Sequence, residues 1–253
     1  MTEVVSMTKE TAMTKVAIIS GVGPDQGMGA QLARRFAASR LHVFVAGRTQ
    51  SKLDAVVAGI RAEGGQATAV VADATDEQAT VDLFTQARKV GPIDLVIYNT
   101  GNNTPGRFED MSAEFFEKSW RVCCFGGFLY GRAAIQHMQR DGGGTILFTG
   151  ASASLRGRPN FGAFNSSKSA LRIMAQAMAK ECGPAGIHVG HVVIDGAIGG
   201  DKIRQGLPEI AEKLGEDGMI DIQAIVDGFE YLYKQPRRGW SFEVDVRTAI
   251  ERW

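Results

Sequence analysis

Cysteine is scarce in this chain, and its three residues, Cys123, Cys124 and Cys182, show no C-x-x-C spacing. That excludes a disulfide framework and a zinc cluster as organising devices, so no metal is expected. Charge of one sign is lacking as well. The 28 basic residues balance 28 acidic ones, which leaves no electrostatic footprint for nucleic acid or an anionic membrane. No apolar run approaches the ~18 residues of a membrane-spanning helix. The first residues carry no charged-then-apolar signal pattern, and a cytoplasmic location is expected. Proline is sparse, and no linker, repeat or low-complexity segment divides the 253 residues. One large domain over 15–253 is therefore expected rather than two. Residues 1–14 are polar, aperiodic and contain three methionines; they read as a flexible tail, with Met13 an alternative start.

The richest stretch lies between Lys15 and Arg48. Residues 15–19 form a short apolar run, as in a strand buried on both faces. It enters a glycine-rich loop holding Gly21, Gly23, Gly27 and Gly29, then a helical pattern with Met28, Leu32, Ala33 and Phe36 on one face. A second apolar run over 42–46 ends in Gly47-Arg48. Strand, glycine loop, helix and strand make a βαβ unit, whose turn lets backbone N–H groups approach a pyrophosphate at a helix N-terminus. An acidic residue at the end of the second strand would select a free ribose 2′-hydroxyl. Arg48 stands there instead, which suits a 2′-phosphate and points to NADP(H).

The alternation continues down the chain. Helices are expected over 51–63, 76–90, 112–138, 161–182 and 220–233, and strands over 66–71, 93–98, 145–149, 187–194 and 240–246. This pattern predicts an α/β fold: a Rossmann-type, doubly wound, parallel seven-stranded sheet in a single domain. Between Gly199 and Gly218 a short segment with glycine-rich borders reads as a substrate lid, its Leu207, Ile210 and Leu214 expected to pack it down.

With these landmarks in order, the chain resembles the short-chain dehydrogenase/reductase family over about residues 15–246. The matching features are the glycine loop, Asp73, the Tyr98-Asn99-Thr100-Gly101 turn, the long helix, Lys168 and Gly-Ile-His-Val at 186–189. The resemblance implies that Asp73, with Ala74, meets the adenine and that Asn99, Thr100 and Gly101 line the cofactor ribose. It also implies that Lys168 grips the nicotinamide ribose and that Gly196 and Ile198 lie near the carboxamide. It further implies pairing of the two long helices between subunits, as homodimers or homotetramers. For Asp73 the other reading is a helix N-cap. The loop departs from the family's Thr-Gly-x-x-x-Gly-x-Gly by two extra residues counted from Gly21, while counting from Gly23 fits, so Gly23, Gly27 and Gly29 are taken as the fingerprint.

The second departure is chemical. The family reduces carbonyls with a Tyr-x-x-x-Lys pair, a Ser thirteen residues before the Tyr, and an Asn in the long helix. Here Lys168 is present, but the Tyr position is Phe164, the Ser position Ala151 and the Asn position Cys123. A phenyl ring donates no proton. Ser152 or Ser154 could replace the missing hydroxyl, unless they make only local backbone hydrogen bonds. Asp195, at a strand's C-terminal end, is a candidate substrate-facing acid or partner for a cation. Tyr98 reads as core, and His137, His188 and His191 lack metal-ligand spacing. The expected activity is NADP(H)-dependent hydride transfer to or from a small carbonyl, imine or enone, without the usual catalytic groups. A catalytically silent NADP(H)-binding regulator and a lyase or cyclase on the same fold remain open.

Overall fold

The inner strands of this chain are apolar at most positions, which only a sheet covered on both faces can accommodate. The computed structural model describes residues 13–251; of the expected tail, residues 1–12 lie outside the described residues. β1 (Val16–Ile19) is buried throughout and lies between β2 (His42–Gly47) and β4 (Ile93–Tyr98). With β3 (Gln66–Val71), β5 (Gly144–Thr149), β6 (Ile187–Asp195) and β9 (Glu243–Arg247) they form one parallel seven-stranded sheet, ordered β3-β2-β1-β4-β5-β6-β9. The order reverses between β1 and β4, so the crevice at their C-terminal ends is where a ligand of such a sheet binds.

Helices cover both faces. On one side α1 (Met28–Ala38), α2 (Gln50–Ala62) and α9 (Ile222–Tyr233) bury Leu32, Phe36, Val56, Ile60, Ile225 and Phe229. On the other, α3 (Glu77–Val90), α5 (Gly126–Asp141) and α6 (Gly162–Cys182) bury Leu83, Phe84, Tyr130, Met138 and Leu171. α9 starts at Ile222 rather than at 220, because the Asp221 carboxylate accepts from Gln223 N and Ala224 N and fixes the cap.

The long helix expected over 112–138 is interrupted. α4 (Ala113–Trp120) runs into one π-helical turn, Arg121–Phe125, before α5 carries on to Asp141. The buried Tyr98 hydroxyl donates to Val122 O at 2.6 Å within that turn, so this carbonyl has a tertiary partner where the helical ladder widens. Tyr98 is core, as read from the sequence. The segment after β6 holds more structure than a plain lid. β7 (Ala197–Ile198) pairs with β8 (Met219–Ile220), and between them lie α7 (Asp201–Arg204) and α8 (Pro208–Leu214). Leu207 and Ile210 stay 44% and 45% exposed, so they do not pack the segment down. Its fastening is polar: Arg204 donates to Gly199 O and pairs with Glu216.

At the β9 edge, Glu243 accepts from Arg172 of α6 through both oxygens, at 2.6 and 2.8 Å. The fully buried His191 ring places Nδ1 2.9 Å from the same carboxylate, so in the neutral ring that nitrogen carries the proton. Burial alone would raise the Glu243 pKa, but the Arg172 and His191 hydrogen bonds and charges outweigh it and hold it at about 2, against an ordinary 4.5. Burial lowers His191 below its ordinary 6.5, against the pull of Glu243. Both shifts act in one direction. The unfolded chain binds protons that the folded chain refuses, so stability falls as pH drops below about 6.5, with the Glu243 share lost between 4.5 and 2. Urea midpoints should therefore fall more steeply from pH 4.5 to 2 in the native chain than in Glu243→Gln. Parallel curves would show that this carboxylate does not tie the sheet edge.

Candidate active site

The crevice begins at Gly21. Its φ of +68° lies in the left-handed region, and a Cβ there would stand 2.8 Å from Thr100 N and 2.9 Å from the Asn99 carbonyl. Only glycine lets the loop after β1 approach the end of β4 this closely. A Cβ on Gly29 would lie 2.8 Å from Gly21 O, so the first turn of α1 also presses against the loop. Around Gly23 no atom lies within 4 Å of such a Cβ. This corrects the choice of fingerprint: Gly21, Gly27 and Gly29 make the tight turn, and Gly23 belongs to the inserted segment. Asp25 in that insertion is fastened to α1, accepting from Arg34 Nη2 at 2.5 Å and, through its carbonyl, from Gln31 Nε2 at 3.1 Å.

Ser20, Asn99, Thr100 and Thr149 knit the strand ends together. Ser20 Oγ accepts from Asn99 N at 3.1 Å and lies 3.0 Å from Thr100 Oγ1. The Asn99 amide donates to Gly21 O at 3.2 Å, and its carbonyl accepts from Thr149 Oγ1 at 3.1 Å. Both ends of Asn99 are thus engaged in bracing the turn. Arg48 is exposed just beyond β2. Asp73 accepts from both the backbone and the hydroxyl of Thr75 at 2.8 Å; the backbone bond, ahead of the nearby Arg48 and Arg121 charges, holds its pKa below the ordinary value. It is not the helix cap, a role filled by Asp76, which accepts from Ala79 N. Beside it Ala74 is buried under Gly126. Gly196, at φ +155°, leads into Ile198 of β7.

Lys168 points inward from α6. It is 3% exposed, and Nζ donates to Thr149 O at 2.7 Å. Burial lowers its pKa. The Phe164 ring lies one turn earlier on the same face, its centroid 5.9 Å from the ammonium. Gly101 faces the same group, since a Cβ there would lie 3.4 Å from Lys168 Nζ and 3.9 Å from Cys123 Sγ. Cys123 is fully buried, its thiol 3.3 Å from Asn102 Oδ1, which also accepts from Ser119 Oγ at 3.2 Å. The structure therefore gathers Lys168, Phe164, Cys123 and Gly101.

It treats the other candidates differently. Ser154 donates to Ala151 O at 2.6 Å, which is the local bond anticipated for it. Ser152 is half-buried in the same short turn. Asp195 is 1% exposed, with both oxygens accepting from Arg156 Nη2 at 2.7 and 2.9 Å and Arg247 3.7 Å away. It is an internal ion pair rather than a substrate-facing acid. Sequence reading missed Arg156, and it missed Asn165, whose amide donates to Arg156 O at 2.7 Å and Ala153 O at 3.3 Å. The Asn165 carbonyl accepts from Arg158 N at 3.2 Å. Its place directly after Phe164 was the only available signal. Among the described residues no group of three or more His, Cys, Asp or Glu could hold a metal, and no helix is long and apolar enough to cross a membrane.

The family model for short chain dehydrogenases matches residues 15–199. The chain belongs to the short-chain dehydrogenase/reductase family. It is 34% identical over 186 residues to versicolorin reductase 1 of Aspergillus parasiticus, covering 73% of this chain and 70% of that protein. It is 32% identical over 202 residues to 7alpha-hydroxysteroid dehydrogenase of Escherichia coli (strain K12), covering 79% and 78%. The crystal structure of a short-chain dehydrogenase from Rhodopseudomonas palustris superposes with a TM-score of 0.78 at 35% identity, covering 92% of this chain and 98% of that one. An alcohol dehydrogenase from Thermococcus sibiricus, complexed with 5-hydroxy-NADP, shares the fold at 22% identity and a TM-score of 0.81, covering 94% and 98%. The family makes the chain an oxidoreductase of nicotinamide-cofactor type, and the glycine cradle of β1 and α1 fits such a group.

The cradle makes a contrast that can be measured. Gly21→Ala places a Cβ against Asn99 and Thr100 in a left-handed conformation and should cost about 1–3 kcal/mol of stability, with cofactor affinity falling too. Gly23→Ala meets open space and should stay within about 0.5 kcal/mol of the native chain. Denaturation of both variants checks this; equal losses would return Gly23 to the fingerprint.

Proposed function

We propose that the protein is an NADP(H)-dependent oxidoreductase that transfers hydride to or from a small organic carbonyl, imine or enone without the phenol its family uses. The observation that carries this reading is the Phe164 ring beside Lys168, in a site where Ala151 and Cys123 also stand at usually polar positions. General acid assistance is worth ~10²–10⁴-fold, and a lost oxyanion donor costs roughly 10²–10³-fold. A simple ketone would forgo both here. A cationic iminium accepts hydride and becomes a neutral amine with no proton transferred. A conjugated enone takes its proton at carbon, from water or from Ser152, whose hydroxyl, unlike that of Ser154, has no partner among the described residues.

The residues that would hold the cofactor are Gly21, Gly27, Met28 and Gly29 at the pyrophosphate, Arg48 at the 2′-phosphate, and Asp73 and Ala74 at the adenine. Asn99, Thr100, Gly101 and Lys168 would serve the riboses, and Gly196 and Ile198 the carboxamide. Bound there, NADPH supplies the hydride. We also propose a homodimer or homotetramer. α4, α5 and α6 leave Phe116, Trp120, Phe128 and Ile173 37–59% exposed, with Trp120, Phe125 and Phe128 stacked in a row. Leu171 and Ala175 of α6 are buried in the chain's own core and add nothing to that exposed surface.

Two measurements test the chemistry. Arg48→Asp should weaken NADPH binding by roughly 2 kcal/mol, as for a lost charge-assisted phosphate contact, while sparing NADH; equal affinities of the native chain for both cofactors would overturn the NADP(H) reading. Phe164→Tyr, alone and with Ala151→Ser, should be assayed by nicotinamide absorbance on a ketone, an imine and an enone. Native turnover should fall, because a buried hydroxyl without a partner costs roughly 1–3 kcal/mol, and ketone reduction should stay poor. A gain of an order of magnitude on the ketone would show a decayed ketoreductase instead.

A further inference from the structure

Beyond the reacting groups, an aromatic surface lies beside Lys168. Phe161, Phe164 and Lys168 stand at i, i+3 and i+7 and so share one face of the helix start. From the buried ammonium outward, that face reads as two aromatic rings. Phe108, in the loop after β4, rests its ring tip on Gly162, where any Cβ would run into it, yet 72% of the residue stays exposed. Leu155, in the loop after β5, is 42% exposed.

These loops are zipped together. Gly106 N donates to Asn160 O at 2.7 Å, and Gly106 bridges to Phe161. Asn165, 9% exposed, holds the other side of the loop through Ala153, Arg156 and Arg158. The rim is thus built before any ligand arrives, as in preformed small-molecule sites. Two of its cations are already ion-paired, and a third lies against a ring. Arg107 pairs with Glu109, Arg156 with Asp195, and the Arg158 guanidinium lies 5.1 Å over the Phe161 ring. A phosphorylated or carboxylated substrate would compete with those partners, whereas an apolar ring would cover surface that water now wets.

Resting on the oxidoreductase reading above, we propose that the substrate is a ring-bearing, largely apolar molecule without anionic groups, seated against Phe108, Phe161 and Phe164, with Leu155 at its edge. Sugar acids are thereby disfavoured.

Calorimetric titration of the protein saturated with NADP⁺ tests this, using 2-tetralone, cyclohexanone and 5-keto-D-gluconate as probes. Tetralone should bind about tenfold or more tighter than cyclohexanone, because its fused ring adds buried apolar area, and with a negative heat-capacity change. The sugar acid should be weaker than both. Phe108→Ala and Phe161→Ala should each weaken tetralone roughly two- to tenfold, as for one lost aromatic contact, with NADP⁺ affinity unchanged. Phe108→Leu should recover part of the loss, separating contact from misfolding. Tighter binding of the keto acid, or tetralone affinity indifferent to both alanine variants, would overturn the proposal. So would a fall in oligomer mass for Phe108→Ala with tetralone binding intact, which would make the rim a contact between copies. Failure of NADP⁺ itself to bind would instead strike the reading on which this one rests.

Discussion

The close approach of Gly21 to Asn99 and Thr100 is the constraint on which the rest of the crevice depends. It brings the loop after β1 into backbone contact with the end of β4, and Ser20 and Thr149 lock that contact from both sides. Once these strand ends are fixed, Gly101 is delivered against Lys168 and Cys123, and the Thr149 carbonyl is in place to accept from the ammonium. The two inserted residues of the glycine loop do not loosen the arrangement. They bulge outward, where Arg34 and Gln31 hold Asp25. A turn that is strained at one glycine tolerates length elsewhere because the extra backbone lies at the surface.

The chemistry depends on a different economy of polar groups. Asn99, Asp195, Asn165 and Ser154 all sit near the crevice, and each is engaged by an internal partner. On the function proposed above, the groups that would face the reacting region are the Lys168 ammonium, the Phe164 ring, the buried Cys123 thiol and the half-buried Ser152. Electrostatic preorganisation by donors aimed at a developing oxyanion is therefore thin at this site. Acceleration would have to come from holding acceptor and hydride donor at reacting distance. That division favours substrates whose carbon is electrophilic before the enzyme acts on it.

Much of this was legible in the sequence. Every strand of the seven was placed to within a few residues; for the inner ones the reason is that strands buried on both faces are largely continuous apolar runs, and the helices between them keep a 3.6-residue stripe. Lys168 and Phe164 could be paired by spacing alone, since i and i+4 share a helical face. The misses have a common cause: they are decided by partners far away in the chain. Asp195 read as a substrate-facing acid or a partner for a cation, a choice left open because Arg156 and Arg247 lie far from it in sequence. The π-helical turn at Arg121–Phe125 is met by the Tyr98 hydroxyl, which no local pattern encodes. Gly21 and Gly23 are alike in sequence, and only the nearness of Asn99 tells them apart. Leu207 and Ile210 sit at helical spacing but have no neighbouring core to enter.

Lys168 carries the last step. A fully buried ammonium is costly to keep, and among the described residues it has one hydrogen-bond acceptor, the Thr149 carbonyl, and the Phe164 ring face nearby. Burial accordingly lowers its pKa, with Cys123 and Cys124 pulling the other way. In the usual family arrangement a phenol shares this neighbourhood and the lysine tunes it. With Phe164 in that place the lysine has no acid to tune, yet the sequence retains it at the required spacing. A buried donor with unfilled capacity is stabilised by acceptors that arrive with a ligand, and ribose hydroxyls are such acceptors. On the function proposed above, Lys168 would serve as a grip on the cofactor rather than as a relic of lost acid catalysis. That grip is also what an iminium- or enone-reducing site needs most, since positioning must do the work that proton donation does elsewhere.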